Sequence, residues 1–434
     1  MGAMPAPANP QARAPRRAAD PPGTPARRAA MRLLDAVLRR GDPLEAALPA
    51  ATRDLREAND RGLAHAIAAE ALRRLSDLDA LIDSATRQRL PDDAKARTAL
   101  RIALVQTLAL GTPPHSAIAT VLPLVDGGPR KLVHGVFGAL TRADATLPEV
   151  PALPADVAER WRGQWGDAVA QAAARGIAAP PPLDLTLAAP DALAPEGLAL
   201  APDQRRLTDH APVSQLAGYD EGAWWVQDVA ASLPARLLGG GQGSALDLCA
   251  APGGKTMQLV AAGWDVTALE IAPSRAARLH DNLARTKLAA RVVIADALDW
   301  APPGAFDAVL LDAPCSATGI FRRHPDVLYR AHAGIVAEMA ALQARLLDRA
   351  ADWVKPGGRL VYATCSLEQA EGEDQLARFL ADHPDYRIDP PGPDLLPHGI
   401  VPHPDGYIRT LPGTLADRGG CDGFFVARLV RASA

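Results

Sequence analysis

Four cysteines occur in the 434 residues: Cys249, Cys315, Cys365 and Cys421. None of them forms a C-x-x-C pair, so zinc-finger spacing is absent and no metal site is expected. What remains is burial or thiol chemistry. A thiol attacks as its thiolate, which asks for a polar or cationic setting. "LLDAPCSATG" (310–319) places Cys315 just beyond an apolar strand ending at Asp312. "VYATCSLEQ" (361–369) delivers Cys365 to the end of a second such strand. Two strands of this kind lie side by side in many doubly wound sheets, so both thiols are expected to face one crevice beside Asp312. Two ordinary strand-end cysteines are the alternative. Cys365 has no His or Lys close by in sequence that would serve as its base.

The crevice has the marks of a nucleoside site. In "LDLCAAPGGKT" (246–256) a strand gives way to a glycine-rich turn that opens a helix. Cys249, Ala250, Ala251, Pro252, Gly253, Gly254 and Lys255 form that turn. Its small residues let a ligand approach the backbone, and a helix N-terminus favours an anionic group. Neither G-x-x-x-x-G-K-[ST] nor G-x-G-x-x-G is present, so neither a triphosphate nor a dinucleotide has its usual support. Glu270 stands at the end of the next strand, where an acid can accept ribose hydroxyls, and Asp296 at the end of the third, where it can hold an adenine amino group. A nucleoside with its own carboxylate and no phosphate clamp points to S-adenosylmethionine rather than a nicotinamide cofactor.

A thiol, a carboxyl group and a methyl donor suit one reaction well. C5 of a pyrimidine is a poor nucleophile, but thiolate addition at C6 makes it enolate- or enamine-like, and it can then attack a sulfonium methyl. A base then removes the C5 proton and the thiol leaves, with an acid near N3 stabilising the adduct.

The elements that must position these groups follow from periodicity. Strands are expected at 244–250, 266–271, 291–297, 306–314 and 358–366, with helical patterns between them. The clearest helix spans 332–354, with Ile335, Met339, Leu342, Leu346, Ala350 and Trp353 on one stripe. This alternation predicts an α/β, doubly wound, Rossmann-like and mostly parallel sheet covered on both faces. "YIRTLP" and "GFFVARLVR" would add an antiparallel edge pair. Residues 23–145 read as helix throughout, an N-terminal all-α domain, after a disordered Ala/Pro/Arg-rich tail at 1–22. Residues 146–222 read as a linker and small connecting subdomain, and 223–434 as the catalytic domain.

Net charge is −4 with a pI of about 6.2. Arginine supplies nearly all of the positive charge, in pairs such as Arg27-Arg28, Arg73-Arg74 and Arg322-Arg323. Solvated helix faces account for most such pairs. No apolar run is long enough to span a bilayer and no signal peptide is visible, so a cytoplasmic protein without membrane attachment is expected.

Taken together, "CAAPGGKT", "DAPCSATG" with "RRHPD", and "ATCS" resemble the Sun-type RNA cytosine-5 methyltransferases, in particular the bacterial 16S ribosomal RNA branch. "WVQDVAAS" (225–232) and "CDGFF" (421–425) match as well, and "PPHSAI" (113–118) with "LVHGVFGAL" (132–140) resemble the family's NusB-like RNA-binding domain. The resemblance implies that Cys365 is the nucleophile, that Cys315 assists release of the methylated RNA, and that Asp312 touches both cytosine and cofactor. It implies S-adenosylmethionine on 249–255, Glu270, Asp296 and Asp312. The substrate would be 16S ribosomal RNA, free or in an early assembly particle, and the enzyme a monomer. Arg322, Arg323 and His324 would contact RNA phosphates beside a flipped base, against the alternative of a salt-bridged structural loop. Four features depart from the family pattern: Glu270 replaces an Asp, Asp184 stands where an Arg is usual, the stretch before "APVSQLAGYDEG" is shorter, and "PADVAERW" stands in place of the family's HPxW. A non-catalytic RNA-binding protein and a nicotinamide dehydrogenase are the rival readings. The intact Cys365, Cys315 and Asp312 oppose the first, and the missing G-x-G-x-x-G opposes the second.

Overall fold

Near-continuous apolar runs such as "AVLL" (308–311) belong in strands buried on both faces, and the computed structural model places them there. It describes residues 20–209 and 211–433. Residues 1–19, most of the expected tail, lie outside the described residues. The chain divides into two compact units, one of Met1–Leu33, Leu48–Ala68 and Leu78–Thr146, the other of Leu34–Ala47, Ala69–Asp77 and Leu147–Ala434.

The first unit is helical. Its helix Lys95–Leu108 is buried along most of its length. Two arginines point inward from it: Arg97 pairs with Asp79 and Asp83 at 3.1 and 2.6 Å, and Arg101 with Asp79 at 2.7 Å. Arg27 is buried too and donates to Gln106 Oε1 at 2.7 Å. These cations belong to the interior of the fold.

In the second unit, β1 (Leu183–Leu187), β2 (Leu198–Ala201), β3 (Gln204–Leu207) and β4 (Trp224–Val226) form a small antiparallel sheet in the order β2-β3-β1-β4. Asp184 is fully buried there. It receives both forks of Arg206 at 2.7 Å, and Arg206 goes on to the carbonyls of Arg418 and Gly420 at 2.7 and 2.6 Å.

The large sheet holds β5 (Ser244–Leu248), β6 (Asp265–Glu270), β7 (Arg291–Ile294), β8 (Phe306–Asp312), β9 (Val354–Thr364), β10 (Tyr386–Ile388), β11 (Ile408–Thr410) and β12 (Phe424–Arg431). Their order is β10-β12-β9-β8-β5-β6-β7, with β11 paired to β12. β5 to β9 run parallel, and β10, β11 and β12 are antiparallel additions. The chain leaves β5 in one direction and returns to β8 on its other side, so the order reverses between these two strands. Ligands bind at the carboxyl edge of such a switch point.

Alternation along the strands divides the core. Leu246, Leu248, Val309, Leu311, Leu360 and Tyr362 face one side, packing with Leu346, Leu347 and Ala350 of helix Ala333–Asp352. Ala245, Ala308, Leu310, Val361 and Ala363 face the other, against helix Val229–Leu238. Each fully buried leucine contributes roughly 2 kcal/mol. Three strands are shorter than expected, among them β8, which stops at Asp312 and not at 314. β5 ends at Leu248 because Cys249 turns out of the strand at φ +59°. β7 ends at Ile294, and Asp296 beyond it accepts the Leu298 amide at 2.9 Å to close a turn. Among the described residues, no helix is long and apolar enough to cross a membrane.

Candidate active site

β8 and β9 are hydrogen-bonded neighbours, and the Ala313 amide extends their pairing to the Ala363 carbonyl at 2.9 Å. Just beyond, the Sγ atoms of Cys315 and Cys365 lie 3.4 Å apart, within hydrogen-bond reach. The two loops close tightly: the Gly319 amide donates to the Cys365 carbonyl at 2.9 Å. A Cβ at Gly319 would fall 2.0 Å from the Gly423 carbonyl oxygen, so only glycine fits.

The expected turn after β5 brings Lys255 to the same place. Its Nζ donates to Asp312 Oδ2 at 2.7 Å and sits 5.5 Å from the centre of the Phe424 ring. Burial works against the Lys255 ammonium, but the Asp312 carboxylate outweighs it, so its pKa lies above the ordinary lysine value. Cys365 is close enough for its charge to act on Lys255 as well. The cation that sequence neighbours of Cys365 lacked is therefore Lys255, 110 positions away.

The four cysteines now separate. The hydrogen bond to Cys365, together with burial, pushes the Cys315 thiol well up, which keeps it a proton donor. Burial raises Cys249 to about 12, with Asp312 and Glu270 adding to the effect. Cys421 is buried and pushed up for the same reason. Neither of these two has the setting of a nucleophile.

In the turn itself, Gly253 has φ +107°, and a Cβ there would meet Leu279 Cδ1 at 2.4 Å. Glu270 is 1% exposed, and its two oxygens accept the amides of Ala251 and Ala272 at 3.3 and 3.0 Å. It thereby ties the turn to the end of β6. Arg275 lies 3.4 Å from Glu270 and donates to the Ala251 carbonyl at 3.0 Å. Beside the two carboxylates, Ile271 and Ile294 are left exposed, at 58% and 51%.

The arginines after the Pro-Cys loop do not fit the phosphate-contact expectation. Arg322 is 8% exposed; its guanidinium donates to the Gly419 carbonyl, and its own carbonyl accepts from Arg73 at 2.6 Å. Arg323 pairs with Asp228 at 2.8 Å and Asp422 at 3.3 Å. Those two carboxylates outweigh the effect of burial and raise the Arg323 pKa. The salt-bridged loop is the reading that the geometry supports for Arg323, because two buried acids consume it, while Arg322 is buried against a backbone carbonyl. The His324 side chain is half-buried in the same loop, and its amide donates to the Ile320 carbonyl at 3.0 Å.

The 16S rRNA methyltransferase RsmB/F family model matches residues 240–430, and the NusB family model matches residues 24–142. A ribosomal RNA small subunit methyltransferase B from Xylella fastidiosa is 36% identical over 93% of this chain and 99% of its own length. The chain belongs to the small subunit methyltransferase B family. Its counterpart from Cronobacter sakazakii is 33% identical over 93% of this chain and 97% of its own. Among solved structures, PH0851 superposes with a TM-score of 0.71 over 94% of this chain and 98% of that one, at 24% identity. NSun6 from Pyrococcus horikoshii with SFG gives a TM-score of 0.55 over 65% of this chain and 99% of that one, at 16% identity. These two likenesses are of fold. Within its family the chain is a methyltransferase with a NusB-like N-terminal domain, as the motifs implied.

Proposed function

We propose that the protein transfers a methyl group from S-adenosylmethionine to C5 of a cytosine in 16S ribosomal RNA, through a covalent bond between Cys365 and C6. One observation carries this reading: two thiols 3.4 Å apart at the carboxyl edge of the sheet, beside a Lys255–Asp312 pair at 2.7 Å. A fold of this class has no structural need for that grouping.

The residues present fit the methyl donor. The small-residue turn 249–255, the acids Glu270 and Asp296, and exposed Ile271 and Ile294 offer close backbone approach, polar anchors and apolar cover for a nucleoside. S-adenosylmethionine, when bound, supplies an electrophilic methyl group. Cys365 Sγ, as its thiolate, bonds to C6; the C5–C6 π pair moves to C5, which takes up the methyl group and leaves the donor sulfur its bonding pair. Asp312, held in place by Lys255, faces the polar edge of the ring, where its carboxylate accepts from N3 once that atom has taken a proton from water, which offsets the charge of the adduct. Loss of the C5 proton to water re-forms the double bond and breaks the S–C6 bond. Cys315, kept a neutral donor, hydrogen-bonds the departing sulfur. The NusB-like residues 24–142 supply further RNA-binding surface.

Cys365→Ala should abolish incorporation of labelled methyl into 16S RNA, and Cys315→Ala should accumulate a covalent RNA–protein adduct on denaturing gels. Bisulfite mapping of ribosomal RNA from a deletion strain identifies the cytosine. Normal methylation by Cys365→Ala would sink the reading.

A further inference from the structure

Past Cys365 the chain runs through "SLEQAEGE" and brings Glu371 back to the residues next to both thiols. Glu371 is fully buried. Its carboxylate accepts from the Ser316 amide at 2.9 Å, from the Ser316 hydroxyl, from the Ser366 hydroxyl, and from Gln343 Nε2 at 3.0 Å. Ser316 follows Cys315 and Ser366 follows Cys365. Gln343 also donates to the Pro314 carbonyl at 2.9 Å, immediately before Cys315. The Glu371 carbonyl is held in turn by the hydroxyls of Tyr362 and Thr364, at 2.8 and 3.0 Å, on the strand that delivers Cys365. Among the described residues, no Lys, Arg or His pairs with this carboxylate, so hydrogen bonds alone compensate its burial. A carboxylate can accept all four of these donors, whereas an amide in its place would turn an NH2 toward the Ser316 or Gln343 N–H.

We propose that Glu371 is a positioning residue that clamps the Cys315 loop to the Cys365 loop and so sets the spacing of the two thiols. The clamp reaches no reacting atom. It acts through Ser316 and Ser366, each one residue from a thiol, and the carboxylate also lies near enough to Cys315 to help keep that thiol protonated. For catalysis the inference rests on the proposed covalent mechanism, in which Cys315 must stay within reach of the sulfur that leaves.

The test has two arms. Diamide takes two electrons from a pair of adjacent thiols and leaves a disulfide, so its rate of linking Cys315 to Cys365 reports their spacing without any RNA. Glu371→Gln should slow this linkage about tenfold or more, since small losses of alignment carry large rate costs. In the second arm, Glu371→Gln should accumulate the covalent RNA adduct, as Cys315→Ala does, with S-adenosylmethionine affinity within about twofold of wild type. Ser366→Ala removes one donor and leaves the charge. It should show the same two effects more weakly, and it carries the test if circular dichroism shows Glu371→Gln to be unfolded. Wild-type linkage and release in both variants would overturn the proposal. Altered linkage with no adduct in any variant, Cys315→Ala included, would keep the clamp and reject the covalent mechanism.

Discussion

Lys255 Nζ donates to Asp312 Oδ2 at 2.7 Å, joining the first turn of helix Gly254–Ala261 to the last residue of β8. The pair spans the switch point of the sheet. A buried ammonium alone would tend to lose its proton, and a carboxylate at this distance reverses that tendency. Lys255 therefore holds its charge beside Cys365 and fixes Asp312 at the edge of the cleft.

Lys255→Met should keep the fold and lose the chemistry. Electrostatic groups of this kind are worth about a hundredfold or more in rate. Single-turnover methylation of RNA should fall by about that factor, with the circular dichroism spectrum retained. A loss under about threefold would deny Lys255 a role in the reaction.

Gly253→Ala should fail where Gly254→Ala is tolerated. The first places a methyl 2.4 Å from Leu279 Cδ1 at φ +107°, while the second brings its methyl no closer than 3.4 Å to Gln227. Strain of the first kind costs about 1–3 kcal/mol. Thermal unfolding and calorimetric titration with S-adenosylmethionine should both separate the two variants.

Arg323→Ala should act on stability. It leaves Asp228 and Asp422 buried without their shared cation, a loss of about 3–5 kcal/mol. Urea unfolding should register it. RNA affinity of the folded fraction should stay within about twofold, whereas a tenfold drop would restore the phosphate-contact expectation.

Asp247 predicts a pH dependence. It is fully buried, accepts from Thr256, and burial pushes it up to about 7 from 3.8. A raised folded-state pKa means that the folded protein binds this proton more tightly than the unfolded chain does. Its stabilisation is complete below about pH 4 and lost as pH rises to about 7, on the order of 4 kcal/mol. Asp247→Asn lacks that dependence. In urea series from pH 4 to pH 8, the variant should gain on wild type as pH rises and then level off near pH 7. Parallel curves would place the proton elsewhere.

Much of the catalytic unit was legible in the sequence. Apolar runs bounded by glycine and proline marked β5, β6, β8 and β9. The Gly-rich turn, Asp312 and both thiols could be assigned to one sheet edge because a parallel sheet collects its strand ends there. The errors in the strands were local ones: β5 and β7 stop short because a left-handed residue or a capped turn ends a strand without changing its composition.

Sequence by itself determined the elements, the sheet and the candidates at its edge, since hydrophobic period and turn residues act over a few positions. Tertiary structure alone decided the charge partners. Arg322-Arg323 reads as a basic patch, yet Arg323 finds its carboxylates 95 and 99 positions away and Arg322 finds the Gly419 carbonyl 97 away. Lys255 reads as part of a turn, yet it attends Asp312 and Cys365. Glu371 reads as one acid in an acidic stretch, yet four donors from two loops and a helix converge on it. Whether a polar side chain meets solvent, a buried partner or a reacting group depends on what packs against it, and spacing along the chain does not encode that.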